Sequence, residues 1–520
     1  MGDDRMEDEQ REVTAFLRDP ASYPPGAAPV ESVETHASVV FLAGGYAYKL
    51  KRAVKYAYLD FSTLALRLAA CGAELRLNRR TAPSLYLDVR AISRGPDGNL
   101  RWGREGRPDD AVVDYVVVMR RFEQRELLDN LARRGTLSPP LLYALTAHIA
   151  EFHGKAEQRP DRGGGAAMAG LARTNIDILR QCRAAGFDSE QIGRIESALD
   201  RAVSRTGTLL DQRRDAGKVR LCHGDLHLGN ICLVDGRPLL FDCIEFSEDI
   251  ASIDVLYDLA FLLMDLDHRR HRDLANLVLN RYLDLTGEDD GLAAMPLFLA
   301  LRALIRAHVT ATKAEHGWGG GDRAAILAEV RAYLDEAEAA LTPSPPRLVA
   351  IGGLSGTGKS TLAAGLAPAL GPAPGARWLR SDAIRKLMFG TDPETPLPPE
   401  AYAAEITERV YHDLCEGAAA ALRAGYAAVI DAVALREDER RAFAAVAVDA
   451  GVPFTGLWLE APSDRLMARV GARVGDASDA SPAIVARQLS RDPGSIDWSR
   501  IDAGAGSDAT LAAARRALVH

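Results

Sequence analysis

The sequence is poor in the features that would assign it quickly to a specialised class. It has only six cysteines in 520 residues. Cys71, Cys182, Cys222, Cys232, Cys243 and Cys415 are scattered, with no CxxC pair and no Cys/His spacing suited to zinc. A disulfide scaffold and a structural metal are therefore not expected, and a reduced, cytoplasmic protein is. Aromatic residues make up 6%, and no stretch interleaves them with basic residues as a platform for single strands would. Positive charge is not in excess. Lys and Arg number 63 against 72 Asp and Glu, a net charge of −9, which counts against a basic surface for duplex nucleic acid or anionic lipid. Long apolar runs are also missing. The most apolar stretch, IDVLYDLAFLLMDL, is interrupted by Asp254, Asp258 and Asp265 and is too short to cross a bilayer. The opening MGDDRMEDEQREV is acidic and has no apolar core, so no secretory signal and no membrane association are expected.

What is present is an ordinary globular composition, 47% hydrophobic and 26% charged, in a chain long enough for about two to four domains. One boundary stands out. The helical run AILAEVRAYLDEAEAAL ends at Thr342-Pro343-Ser344-Pro345-Pro346, and an apolar strand, LVAIGG, follows. We divide the chain into a helix and loop (1–34), a first domain (35–342), a Pro-rich linker (343–347) and a second domain (348–520).

In the second domain, apolar strands alternate with helices, the pattern of a covered parallel sheet. The run from Gly353 through Gly356 and Gly358 to Lys359 and Ser360 fits GxxxxGK[ST], between a strand and a helix. The glycines let backbone N–H groups turn inward as a phosphate nest at a helix N-terminus. Lys359 would reach the β- and γ-phosphates of ATP, Ser360 would ligate Mg²⁺, and Thr361, on the same turn, would help bind the nucleotide. Asp382, in LRSDAIRKL, follows the second strand and could deprotonate a substrate hydroxyl, with Arg385 one turn later to hold an anionic group. The alternatives are a helix N-cap and a solvated arginine. Asp431 ends the strand AAVIDAV where a magnesium-holding carboxylate belongs. Arg465, Arg469 and Arg473 recur every four residues, as a phosphate lid or as a basic solvated face. Residues 348–500 resemble P-loop kinases of the zeta-toxin, polynucleotide-kinase and gluconate-kinase type, within the AAA-like ATP-binding class. The resemblance rests on the phosphate loop, SDxxRK at 381–386, VIDA at 429–432 and RxxxR followed by DASDA at 476–480. It implies a substrate-hydroxyl role for Asp382 and lid roles for Arg469 and Arg473, and it leaves the substrate open.

The first domain reads as strands with one helix followed by a mostly helical lobe. A hairpin turns at Gly44-Gly45 within SVVFLAGGYAYKLKRAV. Further on, His223-Gly-Asp225-Leu-His-Leu-Gly-Asn230 fits HxDxxxxN, and Asp242 stands at the end of the strand PLLFD. In that set an aspartate accepts the proton of a substrate hydroxyl, and an asparagine and a second aspartate hold Mg²⁺. Lys49 is the candidate for the ATP phosphates and Lys51 the alternative, since both lie on one face of a strand. Glu74, on a helix, is the natural partner, and Met119 falls after YVVV where an adenine would be cupped. Roughly residues 35–320 resemble aminoglycoside phosphotransferases and choline kinase-like enzymes, which share the bilobal protein-kinase-like fold. The resemblance implies that Asp225 is the catalytic base, that Asn230 and Asp242 are Mg²⁺ ligands, that His223 supports the loop, and that Asp258 buttresses it. Two departures stand out: Gly44-Gly45 replaces a full glycine loop, and Asp242-Cys243-Ile244 replaces DFG.

The substrate side is less determined. Glu245, Asp265, Asp267, Glu288, Asp289 and Asp290 would suit a cationic amino sugar, whereas Arg302 and Arg306 would suit an anion; the alternative for both groups, and the commoner one, is plain solvated helix and loop charge. The expected architecture is therefore two domains, α+β and α/β: a protein-kinase-like bilobal fold, then a P-loop NTPase fold. The expected function is a bifunctional ATP-dependent phosphotransferase with a small-molecule hydroxyl acceptor. The alternatives are one kinase controlled by a nucleotide-sensing P-loop domain, and a nucleic-acid 5′-end kinase.

Overall fold

The computed structural model describes residues 3–35, 37–56, 59–103, 111–182, 188–316, 322–391, 395–471 and 479–518. The chain forms two compact units. The first takes in Met1–Glu196, Gly207–Asp265 and Leu301–Asp335; the second takes in Ser197–Thr206, Leu266–Ala300 and Glu336–His520. The second unit thus includes more of the chain than the stretch following the Pro-rich segment.

The first unit is built on a six-stranded antiparallel sheet. Its hairpin joins Ser38–Ala43 to Tyr46–Lys51, with Ala43 opposite Tyr46, so Gly44-Gly45 is a two-residue turn, as expected. Alternation along Tyr46–Lys51 sorts its side chains. Tyr48 and Leu50 join Phe41, Val116 and Val118 in a core closed by Val13 and Leu17 of the helix Asp3–Arg18. Ala47, on the other face, joins Cys71, Leu85 and Met119. Lys49 and Lys51 share that second face and reach Glu74 on the helix Leu64–Asn78. That helix is capped by Thr63, whose Oγ1 accepts the Leu66 N–H at 3.3 Å.

Beyond the sheet come Leu128–Arg133, Pro139–Lys155, Gly164–Gln181 and Ser189–Asp215, all helices. The runs VRLCHG and RPLLFD read as two strands around the HxDxxxxN loop; the structure has four. Val219–Leu221 pairs with Ser252–Asp254, and Ile231–Val234 pairs with Arg237–Leu240. Ile231–Val234 escapes notice because its four residues, ICLV, carry no period of their own. A second correction concerns apolar length. Among the described residues, the segment long and apolar enough to span a membrane is Glu288–Thr312, not the stretch around Asp258, and 67% of its most apolar 18-residue window is buried inside the protein.

The second unit carries a five-stranded, all-parallel sheet in the order Arg377–Arg380, Ala428–Asp431, Leu348–Gly353, Phe454–Glu460, Ser499–Asp502. Val349, Ile351, Val429, Leu457 and Leu459 pack with Leu362 and Leu366 of the helix Lys359–Leu366 in its core. Leu348–Gly353 is central, flanked by strands reached in opposite directions. Such a reversal opens a crevice at the carboxyl ends of the strands. The edge strand is covered by the helix Arg272–Thr286. Arg377 donates to Asp289 at 2.6 Å and Asp284 at 2.8 Å, and Asn280 Oδ1 accepts the Trp378 N–H at 2.7 Å. Burial opposes the Arg377 charge, but Asp289 and Asp284 hold the guanidinium protonated well above its ordinary value. The helix Ala404–Arg423 and the strand Ser499–Asp502 are additions to the sequence reading.

Candidate active sites

In the first unit, strand alternation and helix spacing bring together a buried cluster of charges. Glu74 is fully buried and takes both lysines, Lys49 Nζ at 2.8 Å and Lys51 Nζ at 2.5 Å. Lys49 also contacts Asp242, and Lys51 contacts Glu245. Burial opposes the charge on both lysines. Asp242 and Glu74 beside Lys49, and Glu245 and Glu74 beside Lys51, nevertheless hold both above the ordinary lysine value. The choice between Lys49 and Lys51 therefore resolves into a division: Lys49 faces Asp242, and Lys51 is enclosed by two glutamates. Met119 is buried near the end of Ala111–Arg120, paired with Ala47 and Tyr86.

The HxDxxxxN loop is supported from three sides. Asp258, fully buried on the helix Val255–His268, accepts the N–H groups of His223 at 3.0 Å and Gly224 at 2.9 Å, and also meets His153 Nε2 at 3.1 Å. Asp265 accepts the Leu228 N–H at 2.9 Å. Arg302 donates to the carbonyls of Gly224 and Tyr257, both at 3.1 Å, and lies 3.9 Å from the Tyr257 ring centroid. At the centre, Asp225 Oδ2 accepts from Asn230 Nδ2 at 2.8 Å, with His227 Nε2 at 3.4 Å. Burial pushes the Asp225 carboxyl up, but His227, His223 and Arg306 outweigh it and hold Asp225 ionised. Burial also lowers His223, keeping it neutral, and its Nε2 meets the Phe241 carbonyl at 3.0 Å.

Asp242 follows the hairpin Ile231–Val234/Arg237–Leu240 with φ of 59°, a left-handed conformation that costs a non-glycine residue about 1 kcal/mol. Tyr86 Oη accepts its N–H at 3.0 Å, and Asn78 Oδ1 accepts the N–H of Cys243 at 2.9 Å. Its side chain is 42% exposed, so the strained turn presents a carboxylate to solvent.

Several substrate-side expectations are corrected. Glu245 is spent on Lys51, Asp265 on the Leu228 N–H, Asp267 on Arg272 and Asp289 on Arg377. These carboxylates serve internal partners, so they do not make a cationic-sugar subsite. Arg302 is equally committed, to loop carbonyls.

In the second unit, a cavity of 280 Å³ opens at the carboxyl end of the sheet, lined by Gly356, Gly358, Lys359, Ser360, Asp382 and Asp431 among others. The phosphate loop leaves the central strand at Gly353 with φ of 135°. A Cβ there would sit 2.6 Å from the Leu459 carbonyl, and one at Gly356 would sit 2.9 Å from the Leu466 carbonyl. Only glycine fits either position. Ser360 Oγ donates to Asp431 Oδ2 at 2.6 Å, and Lys359 Nζ donates to the Leu354 carbonyl at 3.1 Å. Burial raises Asp431, and Lys359 and Ser360 oppose that shift. Thr361 is exposed and is not among the cavity-lining residues.

Asp382 sits in the first turn of Ser381–Met388, whose N-cap is Arg380, so the N-cap reading of Asp382 does not hold. Arg469 donates to the carbonyls of Gly356 at 3.4 Å and Ala503 at 3.0 Å, outside the cavity lining. Arg473 lies outside the described residues. Sequence reasoning missed Gln488, which brackets the phosphate loop: its Oε1 accepts the Ser355 N–H at 2.9 Å and its Nε2 donates to Ser355 Oγ at 3.1 Å. It also missed Thr407 and Tyr411 of Ala404–Arg423, which line the cavity. No motif marks either.

Both sets of candidate metal ligands are hard oxygen donors, an amide and a carboxylate in one unit, a hydroxyl and a carboxylate in the other, and this chemistry fits Mg²⁺. Residues 64–298 match the model of a phosphotransferase enzyme family, and residues 348–492 match that of an AAA domain. Among solved structures, the chain is similar to a choline/ethanolamine kinase family protein from Mesorhizobium loti (16% identity, 64% of this chain and 99% of that one, TM-score 0.36). It is also similar to a gluconokinase from Sinorhizobium meliloti (21%, 34% and 94%, TM-score 0.25). The protein is an ATP-dependent phosphotransferase with a kinase-like N-terminal fold and a P-loop C-terminal domain. It belongs to the family of the Mycobacterium tuberculosis protein Rv2004c, with which it is 30% identical over 479 residues, 90% of this chain and 91% of that one. The Mycobacterium bovis protein Mb2027c matches to the same extent.

Proposed function

We propose that the chain is bifunctional, each unit transferring the γ-phosphoryl group of ATP to its own hydroxyl acceptor. One observation carries this reading. Each unit holds a carboxylate for the acceptor, a lysine for phosphates and a pair of oxygen ligands, and neither set is degenerate. In the first unit these are Asp225, Lys49, Asn230 and Asp242; in the second they are Asp382, Lys359, Ser360 and Asp431.

In the first unit, Asp225 takes the proton of a small-molecule hydroxyl, held ionised and aimed by Asn230 and His227. Lys49, fixed by Glu74, neutralises phosphate charge, and Met119 packs against the base. Asn230 and Asp242 would hold Mg²⁺. In the second unit, the nest from Gly353 to Ser360 cradles phosphates, Lys359 follows the transferring group, and Asp382 takes the acceptor's proton. Ser360 and Asp431, already in contact, would hold the metal. Mg²⁺, when bound at either site, neutralises phosphate charge.

The test is nucleotide binding and turnover in single variants. Asp225→Asn should remove transfer by the first unit and leave ATP binding within about twofold, because the phosphate cradle is untouched. Lys359→Ala should weaken nucleotide binding at the second unit only. Loss of both activities in Lys359→Ala would instead favour a nucleotide-sensing role for the P-loop unit.

A further inference from the structure

We infer that Lys51 and Glu245 are a positioning pair for the ATP site of the first unit: they occupy the inner oxygen of Glu74 and thereby keep Lys49 outermost, where a phosphate can reach it. This rests on reading that unit as a kinase. A charge removed from water is costly unless it is paired, and a lysine that serves phosphates directly has to reach the open side of its site. Lys51 does not. Its side chain is 2% exposed, against 13% for Lys49 and 42% for Asp242, so the cluster runs from a closed inner end to an open outer one.

The inner end is complete in itself. Lys51 Nζ lies 2.5 Å from Glu74 Oε2, contacts Glu245 Oε1, and stands 5.1 Å from the Phe61 ring centroid. Glu74 has one oxygen for each lysine, Oε1 for Lys49 at 2.8 Å and Oε2 for Lys51. Glu245 comes three residues after Asp242, on a segment already tied to the helix Leu64–Asn78, because Asn78 Oδ1 accepts the Cys243 N–H at 2.9 Å. Asn78 Nδ2 in turn donates to the Glu74 carbonyl at 3.0 Å. Lys51 is thus the ionic link among its own strand, the helix bearing Glu74 and the segment bearing Asp242.

The balance of charge sets what the pair does for Lys49. Two ammonium groups face three carboxylates, those of Glu74, Asp242 and Glu245. Lys49 and Lys51 are two residues apart on one strand, about 6.6 Å at the usual rise. With Lys51 neutral, Glu245 and Glu74 Oε2 would lack a counter-charge, and Lys49, the other cation of the cluster, would be drawn inward to supply it. An ammonium held there is withdrawn from phosphates. Lys51 prevents this by satisfying the inner carboxylates itself. Glu245 in turn keeps Lys51 from competing with Lys49 for both oxygens of Glu74. The pair touches neither nucleotide nor acceptor and acts through Glu74 and Lys49.

The test uses the full-length protein carrying Lys359→Ala, which leaves nucleotide binding to the first unit. ATP with Mg²⁺ is titrated calorimetrically, below the unfolding midpoint of each variant. Lys51→Met should raise the Kd for ATP about tenfold. The KM for ATP of the labelled product that depends on Asp225 should rise in step, with the rate at saturating ATP within about threefold of the parent's. Adding Glu245→Gln to Lys51→Met removes the orphaned anion and restores the parent's balance of charge, so the Kd should return to within about threefold of the parent's. A lysine that only stabilises the fold would raise no Kd in a folded variant and show no such recovery. If Lys51→Met does not fold, Lys51→Gln, which keeps an N–H donor without the charge, decides by the same rise and the same recovery. The inference is overturned if the folded single variant binds ATP as the parent does. It is equally overturned if the double variant binds as weakly as the single one, the result expected of a lysine that grips phosphate directly. Absence of ATP binding by the Lys359→Ala parent would contradict the kinase reading of the first unit, and the inference would fall with it.

Discussion

Asp225 is the residue on which the first site turns, and its surroundings explain why its spacing to Asn230 could be read from sequence. The two residues are five apart and bond across one short loop, so their chemistry is local. Replacing Asp225 by Asn keeps the shape and removes the proton acceptor. We expect kcat to fall by about 10²- to 10⁴-fold with little change in the KM for ATP, as steady-state kinetics will check. The partnership of Lys51 with Glu245 was illegible for the opposite reason. The two residues are 194 apart in sequence and meet only because strand alternation places Lys51 beside Lys49. Charge counting along the sequence leaves Glu245 and Asp265 between a substrate-facing and a solvated reading, whereas folding turns both inward.

At the scale of elements, the loop rests on the helix that presents Asp258. This carboxylate accepts two adjacent backbone N–H groups, and an amide can accept with only one oxygen. Asp258→Asn should therefore destabilise the first unit by about 3–5 kcal/mol, since it breaks a buried charged network; denaturant unfolding will read this. The edge strand Arg377–Arg380 rests in the same way on Arg272–Thr286. Arg377→Met leaves Asp284 and Asp289 without their cation, and a loss of about 3–5 kcal/mol is expected in the second unit.

The helix Met295–His316 carries a pH-dependent element. Burial lowers the His308 pKa from 6.5 to about 4, so the folded state favours the neutral ring. Its contribution is complete above the unfolded value of 6.5 and is lost as pH falls toward 4. The midpoint of unfolding should drop between pH 6.5 and 5, and the drop should shrink in His308→Gln. The hairpin at Gly44-Gly45 and the helix Leu64–Asn78 were legible in the sequence, although the long helix Ala404–Arg423 was not. Strands of three or four residues, such as Ile231–Val234, were not, because pairing defines them and period does not.

At the scale of the molecule, both fold classes were legible because each is announced by a loop that chemistry constrains tightly. The phosphate loop admits only glycine at Gly353 and Gly356, and the HxDxxxxN loop needs its carboxylate and amide at fixed spacing. The partners that hold those loops, Gln488, Asp265 and Arg302, carry no spacing rule and become visible only in three dimensions. The extent of the second unit was equally hidden. Leu266–Ala300 belongs with it through contacts such as Arg377 with Asp284, 93 residues away.

The central claim is that two independent phosphotransferases share this chain. The most direct measurement is turnover of γ-labelled ATP in a metabolite extract by the wild-type protein, Asp225→Asn and Lys359→Ala. With two independent phosphotransferases, each variant loses a different labelled product and keeps the other. Loss of the same product in both variants would contradict it and would make the two nucleotide sites servants of one reaction.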